Sequence, residues 1–449
     1  MNPVTTGLGS AEHLMPRYGW LADYVNTLTP LTEAPATTHL ATGLALLSAA
    51  VGWRAWLDWG GSREPCTLYV VLEGKSARAK KTTAMRMARR IGKSAMADGD
   101  DGHPPPVRFA SVSHISKVGL LELIAPKDDD QATEWEAEPP PATVLEFDEF
   151  GWVLGKPGET KGSEWVGQMR ATLMEAVGGY QGGAKSGARH VPASRCAVAL
   201  MATMTREELE QRVTTGLLRD GFMGRFILVP GVTDSRYIAI PPKMTGTQVR
   251  AIDQLSVRLR QVMRSTEQLG DVFARLTDRA RNVRLSWYQL RMAELDKAAD
   301  TGGELEETLA QVMGRLQSVA MKVAAVHAVS RMEPGDTLAD VHVDQVDVEF
   351  GIHYAEWALA EVASLASLGG KTVRDRYAER VQAWLAKQDD YVKRRDLLAA
   401  IRDPELSAQQ RWDVVVDLYQ QGTVDVQMRT PKRGPETEWV ALVHGDGTD

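Results

Sequence analysis

Between Cys66 and Pro230, five short apolar runs alternate with segments of helical character, and this alternation limits the fold more than any other feature of the chain. The runs cover residues 68–72, 107–111, 143–147, 196–202 and 226–230. Each is nearly continuous in apolar residues instead of alternating with polar ones. Strands of that kind are buried on both faces, and strands separated by helices pair in parallel. The expectation is an α/β core: a parallel five-strand sheet with helices on both sides.

The flanking regions read as helical. Leu21, Tyr24, Val25 and Leu28 recur at three- and four-residue spacing within residues 17–57. The most apolar stretch, 40–53, lies between His39 and Arg54 and is too short to span a bilayer, so it reads as a buried core helix. Amphipathic helical patterns follow at 277–299, 305–329 and 343–365. Gly369-Gly370 then marks a linker. Beyond it come three helical patterns (373–387, 393–401 and 407–421) and two alternating apolar segments (423–428 and 438–443) joined by a basic turn at 429–434. Three helices and a β-hairpin with a basic tip predict a winged helix-turn-helix. A chain of 449 residues exceeds what one core organises. The expected division is a helical region at 1–64, a sheet core at 65–240, a helical domain at 241–368 and a winged helix at 371–449.

Charge is unevenly spread. The net charge is -7, yet eight Lys or Arg residues and no acid lie between Lys75 and Lys93. A local basic patch matters more for phosphate binding than the total does. Cys66 and Cys196 match no metal-ligand spacing, which argues for a reducing compartment. With no basic-then-apolar leader read at the N-terminus, a cytoplasmic protein without a membrane partner is expected.

Four places carry chemistry. The first is the turn after the first apolar run, from Gly74 to Thr83. A phosphate-binding loop needs a glycine-rich turn, a lysine for the β/γ-phosphates and a hydroxyl for Mg²⁺. Gly74 and Lys80 have the expected spacing, but Ala79 stands where glycine is usual and Lys81 where the hydroxyl should be. A loop longer by one residue makes Lys81 the phosphate lysine and Thr82 the metal ligand, and both registers stay open. The second place is the acidic end of the third run, where Asp148 suits Mg²⁺ and Glu149 suits a base that orients water. The third is Thr203, at the end of the fourth run, suited to sensing a γ-phosphate; Thr205 next to it suits a helix cap. The fourth is Arg225, just before the fifth run, with Arg219 as second choice, suited to stabilising transition-state charge on a neighbouring subunit.

With the segment before them, these sites resemble phage- and plasmid-encoded helicase-like ATPases, a RecA-like P-loop family often fused to or partnered with primase domains. The resemblance runs over about residues 17–365 and rests on residues 20–25 and 37–50, on Phe147-Asp148-Glu149-Phe150-Gly151, and on residues 220–226. Arg315, Leu316 and Lys322 are similar to the family's later helical part, where a basic residue faces the nucleotide. The altered loop at 79–81 departs from the family. The resemblance implies ATP and Mg²⁺ as ligands, a ring-forming homo-oligomer (a hexamer by preference), single-stranded DNA in the ring and a separate primase as partner. Strand-gripping elements are expected at 156–170 and in a glycine-rich hairpin at 178–189 that carries Lys185 and Arg189. In the winged helix, Arg394, Arg395 and Arg411 are placed to reach duplex DNA, and Lys432 and Arg433 to reach phosphates. Three functions follow: an ATP-driven DNA translocase or helicase for replication of a mobile element, a non-catalytic, nucleotide-dependent DNA-binding initiator, loader or regulator, or an ATPase of an anti-phage or transposition system.

Overall fold

The computed structural model describes residues 11–52, 55–58, 63–75, 79–96, 107–112, 117–124, 142–155, 163–176, 182–186, 189–193, 197–213, 217–218, 221–231, 238, 243–267, 272–301, 304–333, 335–369, 373–388, 390–403, 406–420, 423–429 and 437–443. The five apolar runs form five strands: β1 (Tyr69–Glu73), β2 (Val107–Ser111), β3 (Ala142–Phe147), β4 (Val198–Met204) and β5 (Phe226–Val229). They pair in the order β2-β3-β4-β1-β5, all parallel. Every residue of β1, β3, β4 and β5 is buried, as strands covered on both faces require.

Alternate residues of each strand feed two separate cores. Val70, Leu72, Val144, Ala199, Met201 and Ile227 point to one, with the helices Ala36–Val51 and Lys81–Met96 and the later helices Gly246–Glu267 and Glu304–Ser330. Tyr69, Val71, Leu145, Phe147, Leu200 and Leu228 point to the other, with Met169 and Leu173 of the helix Ser163–Ala176. The helix Ala36–Val51 is buried from Thr37 to Val51, which explains why its sequence shows no polar stripe.

The expected regions 1–64, 65–240 and 241–368 do not separate. Residues Met1–Ala366 make one compact unit and Ser367–Asp449 a second. The first unit is joined across its length: Trp20 donates to the Leu255 carbonyl at 2.9 Å, and Arg260 Nε donates to the Ala95 carbonyl at 2.7 Å. In the second unit the helices Val373–Leu385, Arg394–Ala400 and Ala408–Gln420 pack on a three-stranded antiparallel sheet with Thr437–Leu442 in the middle. Tyr377, Val381, Leu397, Trp412, Val415 and Val440 fill its core. The hairpin read near Lys185 and Arg189 forms as Gly182–Ser186 paired with Arg189–Ala193. Among the described residues, no helix is long and apolar enough to cross a membrane.

Candidate functional site

The strand order fixes where a ligand would sit. The chain leaves β1 for β2 at one edge of the sheet and leaves β4 for β5 at the other, so the connections diverge between the adjacent strands β1 and β4. In open parallel sheets such a divergence leaves a crevice at the carboxyl ends of the strands, and ligands bind there. Gly74, Ala79 and Lys80 lie at that end of β1. Gly74 has φ +147°, and a Cβ at this position would stand 2.4 Å from Ala79 Cβ. Ala79 therefore comes this close to position 74 only with glycine there.

The two lysines take different roles. Lys80 has φ +46°, the one non-glycine with positive φ among the described residues, and its ammonium lies 2.7 Å from Glu33 Oε2. Glu33 also accepts from the Ile238 N–H at 2.6 Å. Lys80, foremost, holds the Glu33 carboxyl below its usual pKa. Lys81 instead turns into the crevice. It is buried, donates to the Met204 carbonyl at 2.9 Å and also to the Gly74 carbonyl. Among the described residues it has no carboxylate at ion-pair distance. Burial pulls its ammonium pKa down, against the pull of nearby acids led by Glu73. A buried ammonium held only by neutral carbonyls is costly unless an anion completes it.

One residue on, Thr82 Oγ1 donates to Asp148 Oδ1 at 3.0 Å. Residues Glu146 and Asp148 share a side of β3 and the turn after it, the side that carries the Lys81–Met96 helix. Arg89 of that helix donates to Glu146 Oε2 at 2.7 Å from Nε, and to Ser111 at the end of β2. Thr82 and Asp148 are oxygen donors of the kind Mg²⁺ takes. Glu149 is exposed, with no hydrogen bond or ion pair among the described residues. Thr82, Arg86, Glu146, Asp148, Glu149 and Arg212 line one cavity of about 570 Å³.

The other expected site residues are engaged locally. The Thr203 hydroxyl donates to the Asp148 carbonyl, and Thr203 O accepts from Phe150 N at 3.0 Å, so Thr203 shapes the acidic turn. Thr205 caps its helix by accepting from the Glu208 N–H at 3.2 Å. Arg225 Nη1 donates to the Gly221 carbonyl at 2.6 Å, closing its own turn. Arg219 lies outside the described residues. Lys322 is buried against Glu64 at 2.9 Å, so its ammonium is paired inside the core.

In the C-terminal unit, two of the arginines placed for DNA are turned inward. Arg411 Nη1 donates to the carbonyls of Leu398 at 2.8 Å and Ile401 at 3.2 Å, tying its helix to the one before. Arg394 donates to Glu438 at 2.6 Å and stacks over Trp412 at 4.3 Å. Arg395 is exposed and makes no polar contact among the described residues, and it lines a groove of about 580 Å³ with Leu398, Arg402 and Asp403. Lys432 and Arg433 lie outside the described residues, as do the side chains of Lys185 and Arg189.

Sequence reading missed Glu33, Glu73, Arg89, Glu146 and Arg206. An acid ending an otherwise apolar strand, as Glu73 does, is a signal of a buried charge that needs a partner. Nothing local pointed to Glu33, which meets Lys80 only through the fold. No protein-family model matches the chain, and no curated protein matches it.

Proposed function

We propose that this protein binds and hydrolyses ATP with Mg²⁺ at the carboxyl end of its parallel sheet, and uses that cycle as a ring-forming DNA translocase or helicase. The observation that carries the nucleotide reading is Lys81: a buried ammonium whose partners among the described residues are the Gly74 and Met204 carbonyls, beside the Thr82–Asp148 pair. In this reading the longer register applies. Lys81 meets the β/γ-phosphates, and Lys80 stands at the glycine position with the positive φ that position requires.

Thr82 and Asp148 would hold Mg²⁺, which when bound neutralises charge on the phosphates. Glu149, exposed and unpaired among the described residues, accepts a proton from the attacking water and orients it. Thr203 fixes the acidic turn through its bond to the Asp148 carbonyl. The order β2-β3-β4-β1-β5 is compatible with a RecA-like core.

The DNA motor rests on the resemblance described above and on the separate C-terminal unit. That unit's element order, with helices Val373–Leu385, Arg394–Ala400 and Ala408–Gln420 and the hairpin of Val424–Arg429 with Thr437–Leu442, supports a winged helix. Arg395 and Arg402 are exposed cations there with no polar side-chain contact among the described residues, as is Lys387. A second reading, an assembly factor (a non-catalytic DNA-binding initiator, loader or regulator that binds nucleotide without turnover), is favoured by Lys80, whose ion pair with Glu33 ties the start of the Lys81–Met96 helix to the N-terminal region.

ATP turnover with and without single-stranded DNA separates the two. The motor reading expects DNA-stimulated turnover and, by mass photometry, a ring that forms with ATP and DNA. Nucleotide binding without turnover would replace it with the assembly-factor reading.

A further inference from the structure

Arg206 opens the helix Arg206–Arg212, directly after the Thr205 cap at the end of β4. Its guanidinium serves four side chains. Nη1 lies 3.2 Å from Glu73 Oε2 and also meets Glu361, Nε lies 2.7 Å from Glu210, and Nη2 donates to Ser364 Oγ at 2.8 Å. Glu73 and Glu361 are both buried. Glu73 ends β1 immediately before Gly74, and in the sheet register it stands opposite Met204, whose carbonyl holds Lys81.

Two opposite charges set side by side out of water pair with each other unless one is already taken. Glu73 is the acid that acts most strongly on Lys81, yet it is bonded to Arg206 and not to Lys81. We propose that Arg206 is a positioning residue for the phosphate site: by holding Glu73, it leaves the Lys81 ammonium unpaired and available to the phosphates of a nucleotide. The same guanidinium anchors Glu73 to Glu361 and Ser364 on the helix Gln345–Gly369. A planar fork can hold several oxygens at once, which a lysine ammonium on a flexible stem does less well. Without Arg206, Glu73 would turn to Lys81 and compete with the phosphates. This inference rests on the nucleotide-site reading above.

The test is calorimetric affinity for ATP and for AMP, on the full chain, for wild type, Arg206→Gln, Glu73→Gln and the double variant, with circular dichroism as a check on folding. Arg206→Gln should weaken ATP binding by roughly tenfold or more and AMP binding far less, because Lys81 serves the outer phosphates. Glu73→Gln in the Arg206→Gln background should restore most of the loss, since it removes the competing carboxylate. If Arg206→Gln does not fold, Arg206→Lys keeps one cation beside the three acids, and it should show a partial loss that Glu73→Gln again restores. ATP binding unchanged in the Arg206 variants, or a loss that Glu73→Gln does not relieve, would overturn the positioning role. Lys81→Ala is measured alongside. If wild type binds ATP no better than Lys81→Ala, the phosphate site itself fails and takes this inference with it. Lys81-dependent binding that ignores Arg206 removes only the positioning role.

Discussion

Thr82 donates its hydroxyl hydrogen to Asp148 across 3.0 Å, joining the helix that follows β1 to the turn that follows β3. A hydroxyl and a carboxylate from two distant segments thereby meet beside Lys81. If they hold Mg²⁺, Thr82→Ala should leave the fold intact and weaken ATP binding in the presence of Mg²⁺ by about tenfold, with little effect when Mg²⁺ is chelated. Calorimetry at both metal conditions checks this. An equal loss in both would mean that Thr82 acts on the loop and not through the cation.

Glu149, next to Asp148 at the same turn, is exposed and unpaired among the described residues. Glu149→Gln keeps the shape and removes the proton acceptor. It should bind ATP as wild type does and lose turnover by about a hundredfold or more, the usual contribution of a positioned base. Turnover at the wild-type rate would remove Glu149 from the chemistry.

The sheet was legible because fully buried parallel strands announce themselves as unbroken apolar runs. All five runs became strands, and residues 107–111 matched to the residue. The exposure of Asp148 and Glu149 was legible for a related reason: charged residues at the end of such a run must reach the surface. Which of the two lysines is buried was not. Lys80 and Lys81 are adjacent and chemically alike, and only the backbone conformation at Lys80 and the burial of Lys81 separate them. Arg411 was read as surface because arginine usually is, but its donors serve carbonyls 13 and 10 residues earlier in the chain. The limits expected at 64 and 240 were misleading because the helices before and after the sheet share one core with it, an association that no local pattern encodes, whereas the limit expected at Gly369-Gly370 lies next to the division at Ser367.

His39 gives a pH test of the N-terminal packing. It is fully enclosed, meets Thr32 Oγ1 at 2.7 Å through Nε2, and burial lowers its pKa from 6.5 to about 4. The folded state thus keeps His39 neutral while the unfolded chain takes up a proton below about 6.5. Stability from this residue is full above that pH, falls as the pH drops towards 4, and amounts to roughly 3 kcal/mol at most. Denaturant unfolding of wild type and His39→Gln at several pH values checks it. The variant should show a flatter dependence between 6.5 and 4, and parallel curves would contradict the assignment.

The two units make a truncation informative. The helix Gln345–Gly369 supplies Glu361 and Ser364 to Arg206, so a chain ending at residue 370 retains those contacts. Removing residues 371–449 should leave ATP binding and the core's thermal unfolding nearly as they were, while weakening affinity for duplex DNA. Unchanged duplex affinity in a fluorescence-anisotropy titration would assign the C-terminal unit to a protein partner.

In the proposed site Lys81 is the buried cation that meets the phosphates. The most direct measurement of that role is ATP affinity by titration calorimetry, at fixed Mg²⁺, for Lys81→Ala beside Lys80→Ala. Lys81→Ala should lose at least about a hundredfold in affinity, the order expected when a charged hydrogen-bond donor to phosphate is removed. Lys80→Ala, which loses only the ion pair with Glu33, should change affinity by a few-fold at most. The reverse ranking would move the phosphate lysine to Lys80, and wild-type affinity in both would mean that this turn binds no nucleotide.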